Sequence, residues 1–210
     1  MRRFHVDRIV PPVVFLPPRE ARHATRVLRL GPGDRVVVFD DREAWTGEIE
    51  STSGRVRVRL LERRPPPELP RVAIASAVPK GSRLDWMVEK LGELGVSEFI
   101  PVRFARSVAE AGEAKRRRLE KIAQAAAKQS GAPLMRIAPP RRVEELPRDA
   151  LLVAPGAADP LPPGPGTVVV GPEGGLTPEE EGLFARRYTL GPTILRIETA
   201  ALVAAARRLG

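Results

Sequence analysis

From Val72 onward, short apolar runs alternate with longer amphipathic stretches, and this alternation restricts the possible folds more than any other feature. Val72-Ala73-Ile74-Ala75-Ser76-Ala77-Val78 is almost wholly apolar, as in a strand buried on both faces. Ser82 and Asp85 then have the spacing of a capping box. Leu84, Val88, Leu91 and Leu94 recur at helical spacing behind them, and Gly95 suits a left-handed stop. Phe99 to Val102 reads as the next strand. Glu113 to Gln129 reads as a helix with Leu119, Ile122, Ala123 and Ala126 facing inward. Leu151 to Ala154, Val168 to Val170 and Tyr188 to Leu190 read as further strands. Thr177-Pro178-Glu179-Glu180 combines a cap, a proline at the first helical position and a glutamate at the third. Glu198 to Leu209 is a final helix. Strands alternating with helices predict an α/β fold with a parallel sheet.

The first 69 residues have a different texture. Arg35 to Phe39, Trp45 to Glu50 and Arg55 to Leu61 read as short strands, with turns at Asp40-Asp41 and Ser53-Gly54. Val56, Val58 and Leu60 alternate with Arg55, Arg57 and Arg59, giving one apolar and one basic face. Pro18 to Leu30 reads as helical, with Ala21, Ala24, Val27 and Leu28 on one side. Arg64-Pro65-Pro66-Pro67 has the composition of a stiff linker. The division predicted is therefore residues 1–69 and residues 70–210.

Charge narrows the partners. The chain has 35 Lys plus Arg against 26 Asp plus Glu, a net charge of +9, and most of the cations are Arg. Such a surplus favours a polyanion, because each phosphate neutralised releases condensed counterions. There is no Cys, which excludes disulfides, thiolate metal sites and cysteine nucleophiles. His5 and His23 are the only histidines, so no metal centre is expected. Pro11 and Pro12 interrupt the one apolar stretch that follows the N-terminal arginines, against a signal peptide. No stretch approaches membrane-spanning length, so a soluble, cytoplasmic protein is expected, with no membrane partner.

In a parallel sheet, ligands bind beyond the carboxyl ends of the strands. Two loops fall there. Gly171-Pro172-Glu173-Gly174-Gly175 follows Val168-Val169-Val170, and its glycines let the backbone approach a ligand closely. It is neither a dinucleotide fingerprint nor a P-loop. A tight turn between strand and helix explains it equally well on these grounds alone. The second loop runs from Leu190 through Gly191, Pro192, Thr193, Ile194, Leu195, Arg196, Ile197, Glu198 and Thr199 to Ala200. It sets an arginine and a glutamate beside an apolar pair, a mixture that suits a small organic ligand. Glu198 also fits a helix start, where the dipole favours an acid.

Taken together, the two loops resemble the GPEGG and LGPxILRxETA elements of the ribosomal RNA small subunit methyltransferase E family, within the SPOUT class. His23-Ala24-Thr25-Arg26-Val27-Leu28-Arg29 with Gly33-Asp34 is similar to that family's N-terminal segment. Lys80-Gly81, Glu89-Lys90-Leu91-Gly92-Glu93-Leu94-Gly95-Val96 and Gln129-Ser130-Gly131 are similar to its KG, EKxxELGV and QSG elements. The likeness covers nearly the whole chain. It departs at Thr193, where the family has Arg, at Ile197, where it has Thr, and at Ala132, where Arg is frequent.

The resemblance implies a PUA-like N-terminal barrel, a trefoil-knotted C-terminal sheet and a homodimer. It implies S-adenosylmethionine as cofactor and methylation of uridine N3 in ribosomal RNA of the small subunit. The cofactor would lie against Gly171, Pro172, Gly174 and Gly175, and against Leu190, Gly191, Ile194, Leu195, Thr199 and Ala200. Arg196 and Glu173 are the expected catalytic residues, Arg196 stabilising the charge on the base. The proton acceptor stays open among Glu173, Glu198 and water. Arg22, Arg26, Arg29, Arg55, Arg57 and Arg59 are the expected RNA contacts. Two other readings are a non-catalytic RNA-binding assembly factor and a dinucleotide-dependent oxidoreductase. The paired loops count against the first, and the missing glycine fingerprint against the second.

Overall fold

The computed structural model describes residues 1–65, 67–109 and 112–210. Its contacts divide the chain into two compact units. One comprises Met1–Pro67 with Lys128–Pro133, the other Glu68–Ala127 with Leu134–Gly210. Pro66 of the expected linker lies outside the described residues.

The first unit is a curled five-stranded sheet. Its strands are β1 (Arg2–His5), β2 (Val13–Phe15), β3 (Arg35–Phe39), β4 (Ala44–Ser51) and β5 (Arg57–Arg64), in the order β1-β3-β4-β5-β2. Only β1 and β3 run parallel. The alternation along β5 behaves as expected, with Val58 and Leu60 buried and Arg57 and Arg59 exposed. Phe4, Val14, Leu16, Val36, Val38 and Ile49 complete the core. The acid of the expected turn has a larger role than turning the chain. Asp40 is buried and accepts hydrogen bonds from the backbone N–H groups of Arg42, Glu43 and distant Ile9.

The helical stretch is α1 (Pro18–Arg22), continued by one wider, π-helical turn from His23 to Val27. Widening rotates the later residues off the expected face. Ala24 is buried, but Val27 is exposed, contrary to the inward face read from helical spacing. The strands β1 and β2 have no period-2 signature, because β1 is half basic and β2 is only three residues long.

The second unit is a parallel sheet flanked by helices. Its elements are β6 (Val72–Ala77), α2 (Arg83–Leu94), β7 (Glu98–Arg103), α3 (Glu113–Ser130), β8 (Arg136–Ile137), β9 (Arg141–Arg142), β10 (Leu151–Val153), β11 (Gly166–Val170), α4 (Pro178–Glu181), β12 (Arg186–Tyr188) and α5 (Ile197–Leu209). The order is β12-β10-β11-β6-β7-β8, with β9 also on β7, and every pairing is parallel. The central strands β6 and β11 are the continuous apolar runs of the sequence, buried on both faces. α5 packs against α2 and β6 through Ala201, Ala204 and Ala205, whose small side chains let the elements approach closely.

Three details differ from the sequence reading. Ser82 has helical backbone angles and makes no capping hydrogen bond, while Asp85 pairs with Arg118 at 2.9 Å. Leu94 is 39% exposed, because Gly95 at φ 89° ends the helix before that face is covered. Thr189 and Leu190 leave the last strand, as the Thr189 hydroxyl accepts the Gly191 N–H at 3.1 Å and turns the chain.

The start of α4 is as expected. Thr177 Oγ1 accepts the Glu180 N–H, and a Glu180 oxygen accepts the Thr177 N–H at 2.9 Å. The other Glu180 oxygen accepts the Ala105 N–H at 2.7 Å, so this buried acid also fixes the end of β7. Thr177→Ala should therefore cost about 1 kcal/mol, and Glu180→Ala about 2–4 kcal/mol, since two N–H groups lose their acceptor. Urea denaturation of the two variants measures both; the reverse order would reject this account.

Candidate cofactor site

Three parallel strands that are neighbours in the sheet end beside one another, and their loops enclose a cavity of about 240 Å³. Leu152 to Pro155 leave β10, Gly171 to Glu173 leave β11, and Thr189 to Leu195 follow β12. The start of α5 adds Ile197 and Ala200. The walls are mostly aliphatic and backbone. Polar side chains enter at Glu173, Glu181, Thr189 and Thr193.

The glycines act in two different ways. At Gly171 a Cβ would run into Leu176 Cδ1, so a side chain there would displace the Leu176 side chain that packs over the bare backbone. Gly191 has open space around it, but its φ of 145° is one that side chains rarely allow. Its value is conformational, since it lets the second loop fold back over the cavity.

Arginines hold both loops from behind. Arg106 donates to the carbonyl oxygens of Gly174 at 2.9 Å and Leu176 at 3.4 Å. Arg207, in the last turn of α5, donates to the carbonyls of Thr189 at 3.1 Å and Leu190 at 2.9 Å. The planar guanidinium fits two successive carbonyls, which an ammonium cannot do in the same way. Beside it, buried Arg208 donates to the carbonyls of Pro162, Pro163 and Pro165, and burial lowers its pKa. Near the first loop, hydrogen bonding to its own backbone N–H, then to the Thr177 hydroxyl, holds the carboxyl of Glu179 below the ordinary range, with Arg106 adding to the effect.

The expected residues divide cleanly. Gly171, Pro172, Glu173, Gly175, Leu190, Gly191, Ile194, Leu195 and Ala200 line the cavity. Gly174, Thr199 and Arg196 stand outside the lining; Gly174 faces Arg106, and Arg196 is the exposed residue that precedes α5. The third loop, Ala154-Pro155, has no counterpart in the sequence reading. Its signal was present, a Pro-Gly pair directly after an apolar run, but such pairs recur throughout this chain. Glu198 is buried, 3.7 Å from Arg83.

In the first unit, the arginines fall into two sets. Arg22, Arg26 and Arg29 are exposed on and after α1. Arg57 pairs with Glu50 at 3.1 Å, Arg59 with Glu48 at 3.3 Å and Glu50 at 3.2 Å, and Arg55 lies over the Phe15 ring. The basic face of β5 is thus partly neutralised by β4. Among the described residues, no group of three or more His, Asp or Glu side chains could hold a metal ion, and no helix is long and apolar enough to cross a membrane.

Residues 67–208 match the family model described as an RNA methyltransferase domain, and residues 16–61 match the RNA methyltransferase PUA domain. The chain belongs to the RNA methyltransferase family. It is 34% identical to ribosomal RNA small subunit methyltransferase E of Bacillus subtilis (strain 168), over 92% of this chain and 88% of that one. Among solved structures, it is similar to ribosomal RNA small subunit methyltransferase E from Neisseria gonorrhoeae bound to S-adenosyl methionine. There the TM-score is 0.85 and the identity 28%, covering 98% of this chain and 95% of that one. It is also similar to a putative methyltransferase from Legionella pneumophila in complex with the cofactor SAM, at TM-score 0.83 and 26% identity over 97% and 95%. The parallel sheet is thus the SPOUT-type sheet of these methyltransferases.

Removing the Arg207 guanidinium leaves the Thr189 and Leu190 carbonyls without that donor. Arg207→Ala should speed amide hydrogen exchange in the segment from Thr189 to Leu195 by about tenfold, with little change in β6 or β11. Uniform exchange across the sheet would show that Arg207 supports the whole unit instead.

Proposed function

We propose that this chain methylates N3 of a uridine in small-subunit ribosomal RNA. Family membership makes it a methyltransferase of ribosomal RNA that uses S-adenosylmethionine. The observation that carries the reading is the cavity at the ends of β10, β11 and β12, with aliphatic walls and bare backbone at its rim. Such a slot suits a purine nucleoside, and the carboxylate of Glu173 would suit the positive charge of a sulfonium attached to it. Gly171, Pro172, Gly175, Leu190, Gly191, Ile194, Leu195 and Ala200 would hold the cofactor, which supplies a methyl group already activated on a sulfonium sulfur. Gly174 and Thr199 would act behind that lining.

Alignment is the enzyme's main task in such a transfer. Uridine N3 carries a proton and is a poor nucleophile until it is lost. Glu173, at the cavity rim, accepts that proton, and the N3 electron pair is left for the new N–C bond. Arg196, exposed in the second loop just before α5, supplies positive charge to the uracil oxygens. N3 is hidden in a base pair, so the target is unpaired or flipped out. Residues 1–69 form the RNA-binding domain and residues 70–210 the catalytic one, with Arg22, Arg26 and Arg29 on phosphates. Arg55, Arg57 and Arg59 contribute after exchanging their acidic or aromatic neighbours.

The same reading includes a trefoil knot, a homodimer and a place in the cytoplasm. Ala200, Ala201, Ala204 and Ala205 are buried within the chain, so a dimer surface on α5 would use Thr199, Leu202, Val203 and Ala206 instead. Sedimentation at micromolar concentration should give twice the mass of one chain; a single-chain mass rejects the dimer.

Titration with S-adenosylhomocysteine, followed by methyl transfer to small-subunit RNA and mapping of the modified nucleotide, tests the function. Gly191→Val should weaken cofactor binding at least tenfold through its backbone angle. Arg26→Ala with Arg29→Ala should flatten the salt dependence of RNA binding by roughly 0.7–0.9 for each phosphate left without its arginine, with turnover kept. Arg196→Ala should lower turnover with RNA affinity kept. Methyl groups on any atom but uridine N3 would overturn the assignment.

A further inference from the structure

Glu198 is difficult to explain as a support of the fold. The residue is 7% exposed. Its Oε2 is buried and has no hydrogen-bond partner among the described residues. Its Oε1 lies 3.7 Å from Arg83 Nη1, too far for a good hydrogen bond. The helix dipole favours an acid at this position, but an exposed one would serve as well. A buried carboxylate with so loose a partner is costly to the fold, and such groups in native proteins call for a reason outside stability.

Arg83 supplies a link to the chemistry. It opens α2, and the same Nη1 lies 3.5 Å from Glu173 Oε1. Glu173 lines the cavity. Side-chain exposure rises along the series, from 9% at Glu198 through 40% at Arg83 to 53% at Glu173. One end is fixed in the protein and the other meets solvent. A bridge that merely joined α2 to α5 would not need the third residue.

We propose that Glu198 and Arg83 are positioning residues for methyl transfer. Glu198 holds Arg83, and Arg83 holds the Glu173 carboxylate at the cavity rim. The proposal rests on the methyltransferase reading and adds a device to it. In the step, the N3–H bond breaks and its proton goes to a Glu173 oxygen. The N3 electron pair forms the N–C bond to the methyl group, whose bond to the sulfonium sulfur breaks and leaves its pair there. When Glu173 gains the proton it loses its negative charge, and Glu198 still neutralises Arg83. Two carboxylates sharing one guanidinium keep the proton acceptor from facing an unshared cation.

The test uses the full chain, small-subunit RNA and a labelled methyl donor. Glu198→Gln should lower kcat at least about tenfold. The KM for RNA and the affinity for S-adenosylhomocysteine should stay within about twofold, because neither ligand is held by Glu198. Tm should hold or rise, since a buried charge is removed. Arg83→Met should lower kcat as far, and Arg83→Lys should recover part of it. Glu198→Gln added to Arg83→Met should cost nothing further, as for residues acting as one unit. An active wild type with Glu198→Gln at wild-type kcat overturns this inference alone. So does a loss of kcat that merely follows losses of Tm and cofactor affinity. A wild type that transfers no methyl group overturns the functional reading and this inference with it.

Discussion

Parallel pairing of β12, β10 and β11 sends three successive loops to the same edge of the sheet. Antiparallel pairing would have put neighbouring loops at opposite ends, and no cavity would form. The apolar runs at Leu151 and Val168, with the short strand that ends at Tyr188, therefore set the place of the site before any functional side chain is considered. Loops are the least constrained part of such a sheet. Those after β11 and β12 are restrained by guanidinium groups that reach their carbonyls from the turn after β7 and from α5.

That use of arginine changes the meaning of the charge surplus. A net charge of +9 reads most simply as a surface for a polyanion. Yet Arg106, Arg207 and Arg208 are spent on main-chain carbonyls, and Arg57 and Arg59 on neighbouring glutamates. Arginine serves here as a structural cross-link between segments far apart in sequence, as well as a cation. A count of basic residues overstates the surface left for RNA.

Much of the fold could be read from the sequence where pattern and burial coincide. β6 and the Val168–Val170 part of β11 are buried on both faces and appear as almost wholly apolar runs, while Thr177 and Glu180 carry their cap in the chain order itself. Elements made by partners elsewhere were not legible. β1 is a strand because β3 pairs with it, and Val27 is exposed because one turn widens. The site followed the same rule. Gly171 and Gly191 stand out in the sequence as glycines between strand and helix, whereas nothing in the local sequence sets Arg83 or Arg207 apart from the other arginines. Their roles depend on what lies 90 and 18 positions away, and no local pattern encodes that.

Arg207 and Arg208 have a consequence for the order in which the loops around the cavity are fastened. They occupy the last turn of α5 and fasten carbonyls 17 to 46 residues earlier in the chain. On a translating ribosome the three strands around the cavity emerge first, with their loops still unfastened. The sheet can pair at that stage, but the loops gain their guanidinium cross-links only when α5 docks. Competence to bind a ligand is thus tied to the synthesis and docking of α5, which follows all three strands in the chain and carries both guanidinium groups.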